Sequence, residues 1–149
     1  MEPHRRMLRA KIHRAIVTEA NLEYEGSLTI PPELLDITDI KEYEAISVWN
    51  VTRGTRFETY AIAGEKGSGQ ICVNGAAAHL AEPGDRIIIA TFSEVPESMV
   101  DDFRPIVVLV DDHNLAIRTI VEIPGPEGPL PGRKSLRQLV QEAVGIHVG

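Results

Sequence analysis

The sequence predicts a mostly β domain closed into a barrel. Eight short runs rich in β-branched residues follow one another along the chain. Gly, Pro and Asp separate them, as turn residues do. Strands this short leave unpaired edges unless the sheet closes on itself, so eight of them favour a barrel.

Taken in order, residues 1–14 carry Arg5, Arg6, Arg9, Lys11 and Arg14. A transit peptide would be rich in serine and poor in acid, whereas this stretch has no serine and contains Glu2. It reads as a short tail leading into a first strand over 12–18. Strands follow at 27–30, 45–51, 57–63, 70–73, 86–92, 106–110 and 115–123. Three short helices interrupt them. Pro31 and Pro32 suit a first helical turn and Glu33 complements its dipole, so 31–36 starts one. Residues 75–80 are alanine-rich, and 96–103 puts Met99, Val100 and Phe103 on one helical face.

Composition shifts at Pro124. The stretch 124–132 is built from Pro and Gly and reads as a linker, so the barrel domain spans 1–123 and the linker and tail 124–149. Beyond the linker, Leu136, Leu139, Val140 and Val144 recur at helical spacing behind a candidate cap, Ser135.

The chain of 149 residues is one domain's worth, long enough to bury a core. A net charge of −7 disfavours a nucleic-acid surface. No apolar run reaches membrane-spanning length, and no hydrophobic signal segment opens the chain, so a cytoplasmic setting is expected. The single cysteine, Cys72, excludes an intramolecular disulfide and lies in an apolar run, as a small buried hydrophobe would. His13 and His79 lack companions at metal-ligand spacing, so no metal is expected. The stretch Gly64-Glu65-Lys66-Gly67-Ser68-Gly69 lacks the phosphate-loop pattern and reads as a hairpin loop.

The most informative motif is Tyr24-Glu25-Gly26-Ser27, set just before a strand. Glycine tolerates a strained turn, and the Ser27 hydroxyl stands next to the Gly26 carbonyl that it would attack. Attack converts the amide to an ester. Elimination and hydrolysis then leave a chain ending at Gly26 and a chain headed by a pyruvoyl ketone, with loss of ammonia. Such a ketone condenses with amines and accepts electrons, the task pyridoxal phosphate performs elsewhere. Alone, a Gly-Ser pair is ordinary loop punctuation.

Its company is not ordinary. Lys11-Ile12-His13-Arg14, Tyr24-Glu25-Gly26-Ser27 and Trp49-Asn50-Val51-Thr52 stand in order, then Arg56-Phe57-Glu58-Thr59-Tyr60-Ala61-Ile62-Ala63, then Val73-Asn74-Gly75-Ala76-Ala77-Ala78-His79. Over residues 7–123 this order and spacing resemble the aspartate 1-decarboxylase family, pyruvoyl-dependent enzymes that make β-alanine for pantothenate. The resemblance implies a double-psi β-barrel, a homotetramer, L-aspartate as substrate, a pyruvoyl group made from Ser27 with neither pyridoxal phosphate nor metal, and in some members a maturation factor.

For the site, the resemblance implies Ser27 and Tyr60 as catalytic residues, Tyr60 returning a proton to the decarboxylated carbon. Gly26, Ser27, Thr59 and Asn74 would serve processing. Arg56 is the natural carboxylate clamp, with Lys11 as a second point charge. Thr59, Gly75, Ala76 and Ala77 would contact substrate, and His13, Tyr24 and Trp49 would wall the pocket. Strand alternation sets Phe57 and Thr59 on one face and Glu58 and Tyr60 on the other, so Thr59 and Tyr60 need a bend or opposite contributions. Leu28 follows the serine where members of the family often carry smaller or different residues, a departure that would alter the cleavage rate, whereas the Pro31-Pro32 pair and the C-terminal extension depart from the pattern without touching these positions. Two alternatives stand beside this reading: a non-catalytic barrel used for binding, and an unprocessed zymogen. Both predict an intact chain.

Overall fold

The computed structural model describes residues 1–121. The linker, the tail helix and the domain boundary at 123 lie outside the described residues. Nine strands form one sheet: β1 (His4–Ile16), β2 (Glu19–Asn21), β3 (Ser27–Ile30), β4 (Ala45–Asn50), β5 (Arg56–Ala63), β6 (Cys72–Asn74), β7 (Arg86–Pro96), β8 (Ile106–Val110) and β9 (Ala116–Val121). Their order across the sheet is β2-β6-β3-β5-β4-β7-β1-β8-β9. Three neighbouring pairs are parallel, β1 with β8, β2 with β6 and β3 with β5. This mostly β architecture agrees with a double-psi barrel.

Period-two burial builds the core. Ile12, Leu28, Ile30, Val48, Ile87 and Ile89 are fully buried on one face of the sheet. Helix α1 (Pro32–Thr38) plugs that face with Leu34 and Leu35. Pro32 opens the helix, and Asp39 ends it in the left-handed region at φ 54°. Buried Thr38 donates back to the Leu34 carbonyl at 2.7 Å.

Three expectations are corrected. Residues 4–11 are no tail: they pair with the far half of β7, from His4 opposite Pro96 onward. Arg5 bonds Glu97 at 2.5 Å and Arg6 stacks over the Phe92 ring at 4.7 Å, and residues 4–6 are exposed with 7–9 half-buried, so the ribbon shows no apolar alternation. The helix expected over 96–103 is a single 3-10 turn, Glu97–Met99, because β7 runs on to Pro96. The segment after β6 is likewise a 3-10 turn, Gly75–His79, rather than an α-helix. A three-residue strand, β2, escaped the pattern because all its residues are exposed.

Two buried polar hubs hold the loops. Asn114, at φ 60°, accepts from the Ile16 amide at 2.7 Å and donates to the Ile16 and Gly69 carbonyls at 2.9 and 2.8 Å. It thereby stands in for a strand partner where β1 ends. Asp85, 3 % exposed, accepts from Asn50 at 2.9 Å, from Arg53 at 2.6 Å and from the Glu82 amide at 2.9 Å. Burial pushes its carboxyl up, but the bonds from Asn50 and Arg53 outweigh that and hold it below its usual range. Asn50 also accepts from the Thr52 and Arg53 amides and donates to the Leu80 carbonyl.

Asn50→Ala strips this corner of its shared partner and leaves a buried carboxylate under-satisfied. Destabilisation of roughly 2–4 kcal/mol is expected. Urea unfolding checks it through a lowered midpoint at unchanged slope. An unchanged midpoint would show that the corner stands without Asn50.

Candidate active site

The Gly26-Ser27 bond lies where an exposed turn enters a buried strand. Tyr24, Glu25 and Gly26 are exposed, whereas Ser27, the first residue of β3, is 1 % exposed. β6 lies between β2 and β3 and runs parallel to the first and antiparallel to the second. The chain leaving β2 must therefore cross over the end of β6 to enter β3. At that end stand Asn74, level with both Asn21 and Ser27, and then Gly75.

Gly75 makes the crossing feasible. Its φ is +68°, and a Cβ there would come within 2.7 Å of the Gly26 backbone nitrogen and Cα and 3.0 Å of the Tyr24 carbonyl. No side chain fits between the two backbones. The 24–26 turn is thus pressed against a backbone at the bond expected to break.

Asn74 grips the serine. Its Nδ2 donates to Ser27 Oγ at 2.9 Å and to Thr29 Oγ1 at 3.2 Å, all three side chains being buried. Its Oδ1 accepts from the Cys72 thiol at 3.0 Å. Ser27 Oγ in turn points its proton toward the Glu25 carbonyl at 3.4 Å. Thr29 and Cys72 were not singled out from sequence. The signal was there: Ser27 and Thr29, and Cys72 and Asn74, are two apart on short strands and therefore share a sheet face.

Register places the remaining candidates. β3 and β5 are parallel with Leu28 opposite Ala61. Continued toward the turn, this sets Tyr60 level with Ser27 on the same face, and Thr59 level with Gly26 on the opposite one. β5 runs without a bend here, so the two neighbours lie on opposite faces. Tyr60 also meets the exposed Tyr43, ring centroids 6.2 Å apart. Gly75 is buried, Ala76 exposed and Ala77 half-buried, so the 3-10 turn presents only small groups beside the serine.

The cationic candidates gather elsewhere on that face. Trp49 pairs with Arg56, whose guanidinium lies 5.5 Å from the indole centre. Lys11 shares a row with Ala90 and Ser47, next to the Trp49 row. His13 is two residues on from Lys11. Burial first, then the charges of Lys11 and Arg14, lower its pKa to about 4, so it is neutral at pH 7. Its buried Nδ1 has no hydrogen-bond partner among the described residues. Lys11 stands four strands from Ser27, about 19 Å along the sheet, and Arg56 is about 13 Å along β5 from Tyr60. Measured along the sheet, the sequence-predicted site residues fall into two groups, candidate half-sites: Ser27, Asn74 and Tyr60 in one and Lys11, His13, Trp49 and Arg56 in the other. Among the described residues, no group of three His, Cys, Asp or Glu could hold a metal ion, and no helix is long and apolar enough to cross a membrane.

A sequence model of the family described as aspartate decarboxylase matches residues 3–117. The chain belongs to the aspartate decarboxylase family. An aspartate 1-decarboxylase of Legionella pneumophila strain Paris is 61% identical over 111 residues, covering 74% of this chain and 84% of the relative. That of Myxococcus xanthus is 56% identical over 122 residues, 81% of this chain and 94% of the relative. That of Rhodopirellula baltica is 55% identical over 124 residues, 83% and 80%. The stretch matched by the aspartate decarboxylase family includes both half-sites.

Gly75→Ala tests the crossing. The added methyl must push the 24–26 turn away, so chain cleavage should slow by at least tenfold. The fraction of cut chain in a time course of denaturing mass spectra reads this. Cleavage at the parental rate would mean that the close approach has no part in it.

Proposed function

We propose that this protein is an aspartate 1-decarboxylase, a carboxy-lyase that removes the α-carboxylate of L-aspartate to give β-alanine and CO2 for pantothenate synthesis. The family membership supports the reaction. The observation that carries the mechanism is the buried Ser27 hydroxyl held by Asn74 beside the exposed Gly26 turn.

The group the chemistry needs is made in place from Ser27. Ser27 Oγ bonds to the Gly26 carbonyl carbon as the peptide C–N bond breaks, giving an ester. Loss of the Ser27 α-proton with scission of its Cβ–O bond releases the Gly26 carboxylate and leaves a dehydroalanine. Water converts this to the pyruvoyl group, with ammonia leaving. The residues fit such a group. Leu28 pairs with both Ala61 and Val73, so the new chain start stays anchored in the sheet, while exposed Tyr24 to Gly26 are free to withdraw. Such a group would supply a ketone able to condense with the substrate amine and an electron sink for the breaking carbon–carboxylate bond.

The chain's own residues do the rest. Arg56, braced by Trp49, clamps one carboxylate with paired donors, and Lys11 holds the other as a point charge. Neutral His13 adds no competing charge beside Lys11. Gly75, Ala76 and Ala77 let the substrate approach closely, and Thr59, level with Gly26, serves the cleavage. The Tyr60 hydroxyl carries the proton returned to carbon. Tyr24, exposed beside the bond, helps to wall the site.

Separation of the half-sites calls for a second copy of the chain. A homotetramer in which one copy supplies Ser27, Asn74 and Tyr60 and its neighbour Lys11, Trp49 and Arg56 accounts for a clamp so far from the serine. The setting is cytoplasmic, and a maturation factor is a further partner in this reading.

Denaturing intact-mass spectra test the cleavage. Residues 1–26 and 27–149 should appear, the larger lighter by one ammonia, and Ser27→Ala should give one intact, inactive chain. An active Ser27→Ala variant would end the mechanism. Sharing of the site is checked by co-expressing Ser27→Ala with Arg56→Ala. Each is expected to be inactive alone and activity to return in the mixed assembly. No recovery in demonstrably mixed tetramers would put both halves in one chain.

A further inference from the structure

The hydrogen-bond chain behind the serine ends in a group that the proposed mechanism does not use. Cys72 lies on β6 opposite Thr29 on β3 and is 5 % exposed. Its Sγ lies 3.0 Å from Asn74 Oδ1. The same carboxamide presents its Nδ2 to Ser27 Oγ and Thr29 Oγ1 at 2.9 and 3.2 Å. Three side chains thus surround one amide, two of them hydroxyls and the third a thiol.

Only one of the three decides which way the amide faces. A hydroxyl both donates and accepts, so Ser27 and Thr29 could meet either end of the carboxamide. A protonated thiol donates and accepts only weakly, and it matches the oxygen rather than the NH2. Burial first, and then the neighbouring Glu19 carboxylate, push the Cys72 pKa above its usual value, which keeps the thiol protonated. With Oδ1 bound to the thiol, both Nδ2 hydrogens are committed to the two hydroxyl oxygens.

That orientation has a chemical consequence. Ser27 Oγ receives a hydrogen from Asn74, which stabilises negative charge as the hydroxyl gives up its own proton. Its proton stays directed at the Glu25 carbonyl, leaving a lone pair for the Gly26 carbon. Were the amide reversed, Ser27 would donate its proton to Oδ1, and its oxygen would lose the donor.

We propose that Cys72 is a positioning residue for chain cleavage, its thiol fixing the Asn74 carboxamide so that Nδ2 faces Ser27. This rests on reading Gly26-Ser27 as the bond that is cut. It acts entirely through Asn74, and touches neither Ser27 nor the scissile bond in the hydrogen-bond network.

Three variants of the full chain test it: Cys72→Ala, Cys72→Val, which keeps the volume without a donor, and Cys72→Ser, which keeps a donor. Cleavage is followed by denaturing intact mass from the freshly purified state, beside thermal unfolding of each uncut chain. Loss of one weak donor should slow cleavage in Cys72→Ala and Cys72→Val by roughly 3- to 10-fold. Cys72→Ser should cut at or above the parental rate. Parental rates in both donor-free variants would overturn the proposal. Equal slowing in all three would overturn it too, since packing rather than donation would then be at work. A parental chain that never cuts would remove the reading beneath it, an outcome distinct from parental cleavage with unaffected variants.

Discussion

The crossing of the 22–26 turn over the end of β6 constrains everything at the reactive end of this molecule. β6 separates β2 from β3, so the chain has to pass over it, and it can do so closely because position 75 is glycine with φ +68°. A backbone pressed against another backbone has little room to relax. Gly26 thus meets the Gly75 backbone on one side and stays exposed on the other, while Ser27, one residue later, is already in a buried strand.

The same topology explains the hydrogen-bond network. Asn74 is the last residue of the strand being crossed, and it faces Ser27 because the two are register partners. Its amide therefore serves the serine without any loop having to fold around it. Strand geometry also sets the limit of what one chain can assemble. Tyr60 sits on the adjacent strand, level with Ser27, whereas Arg56 lies further along that same strand and Lys11 stands four strands from Ser27.

Buried polar hubs hold the frame that keeps these registers. Asn114 and the Asn50–Asp85 pair each satisfy several backbone groups from segments far apart in sequence. They do locally what strand ladders do along an edge. An under-satisfied group at either place would release a loop and, with it, the alignment of β1 or β4 that carries Lys11 or Trp49.

Much of this was legible before any coordinates. All eight expected strands overlap observed ones, and 27–30 and 106–110 coincide with β3 and β8, because period-two burial is written in neighbouring residues. The Gly26-Ser27 motif and the blocks around Lys11, Arg56, Tyr60 and Asn74 were equally local signals. The exposed ribbon 4–8 and strand β2 were not legible, since neither buries a periodic face. Nor were the meeting of Asn74 with Ser27 and Thr29 across two strands, the close approach of Gly75 to Gly26, the level placement of Tyr60, or the distance from Ser27 to Lys11. Those follow from which strands become neighbours and in what register, and that is set by non-local pairing and core packing rather than by any run of adjacent residues.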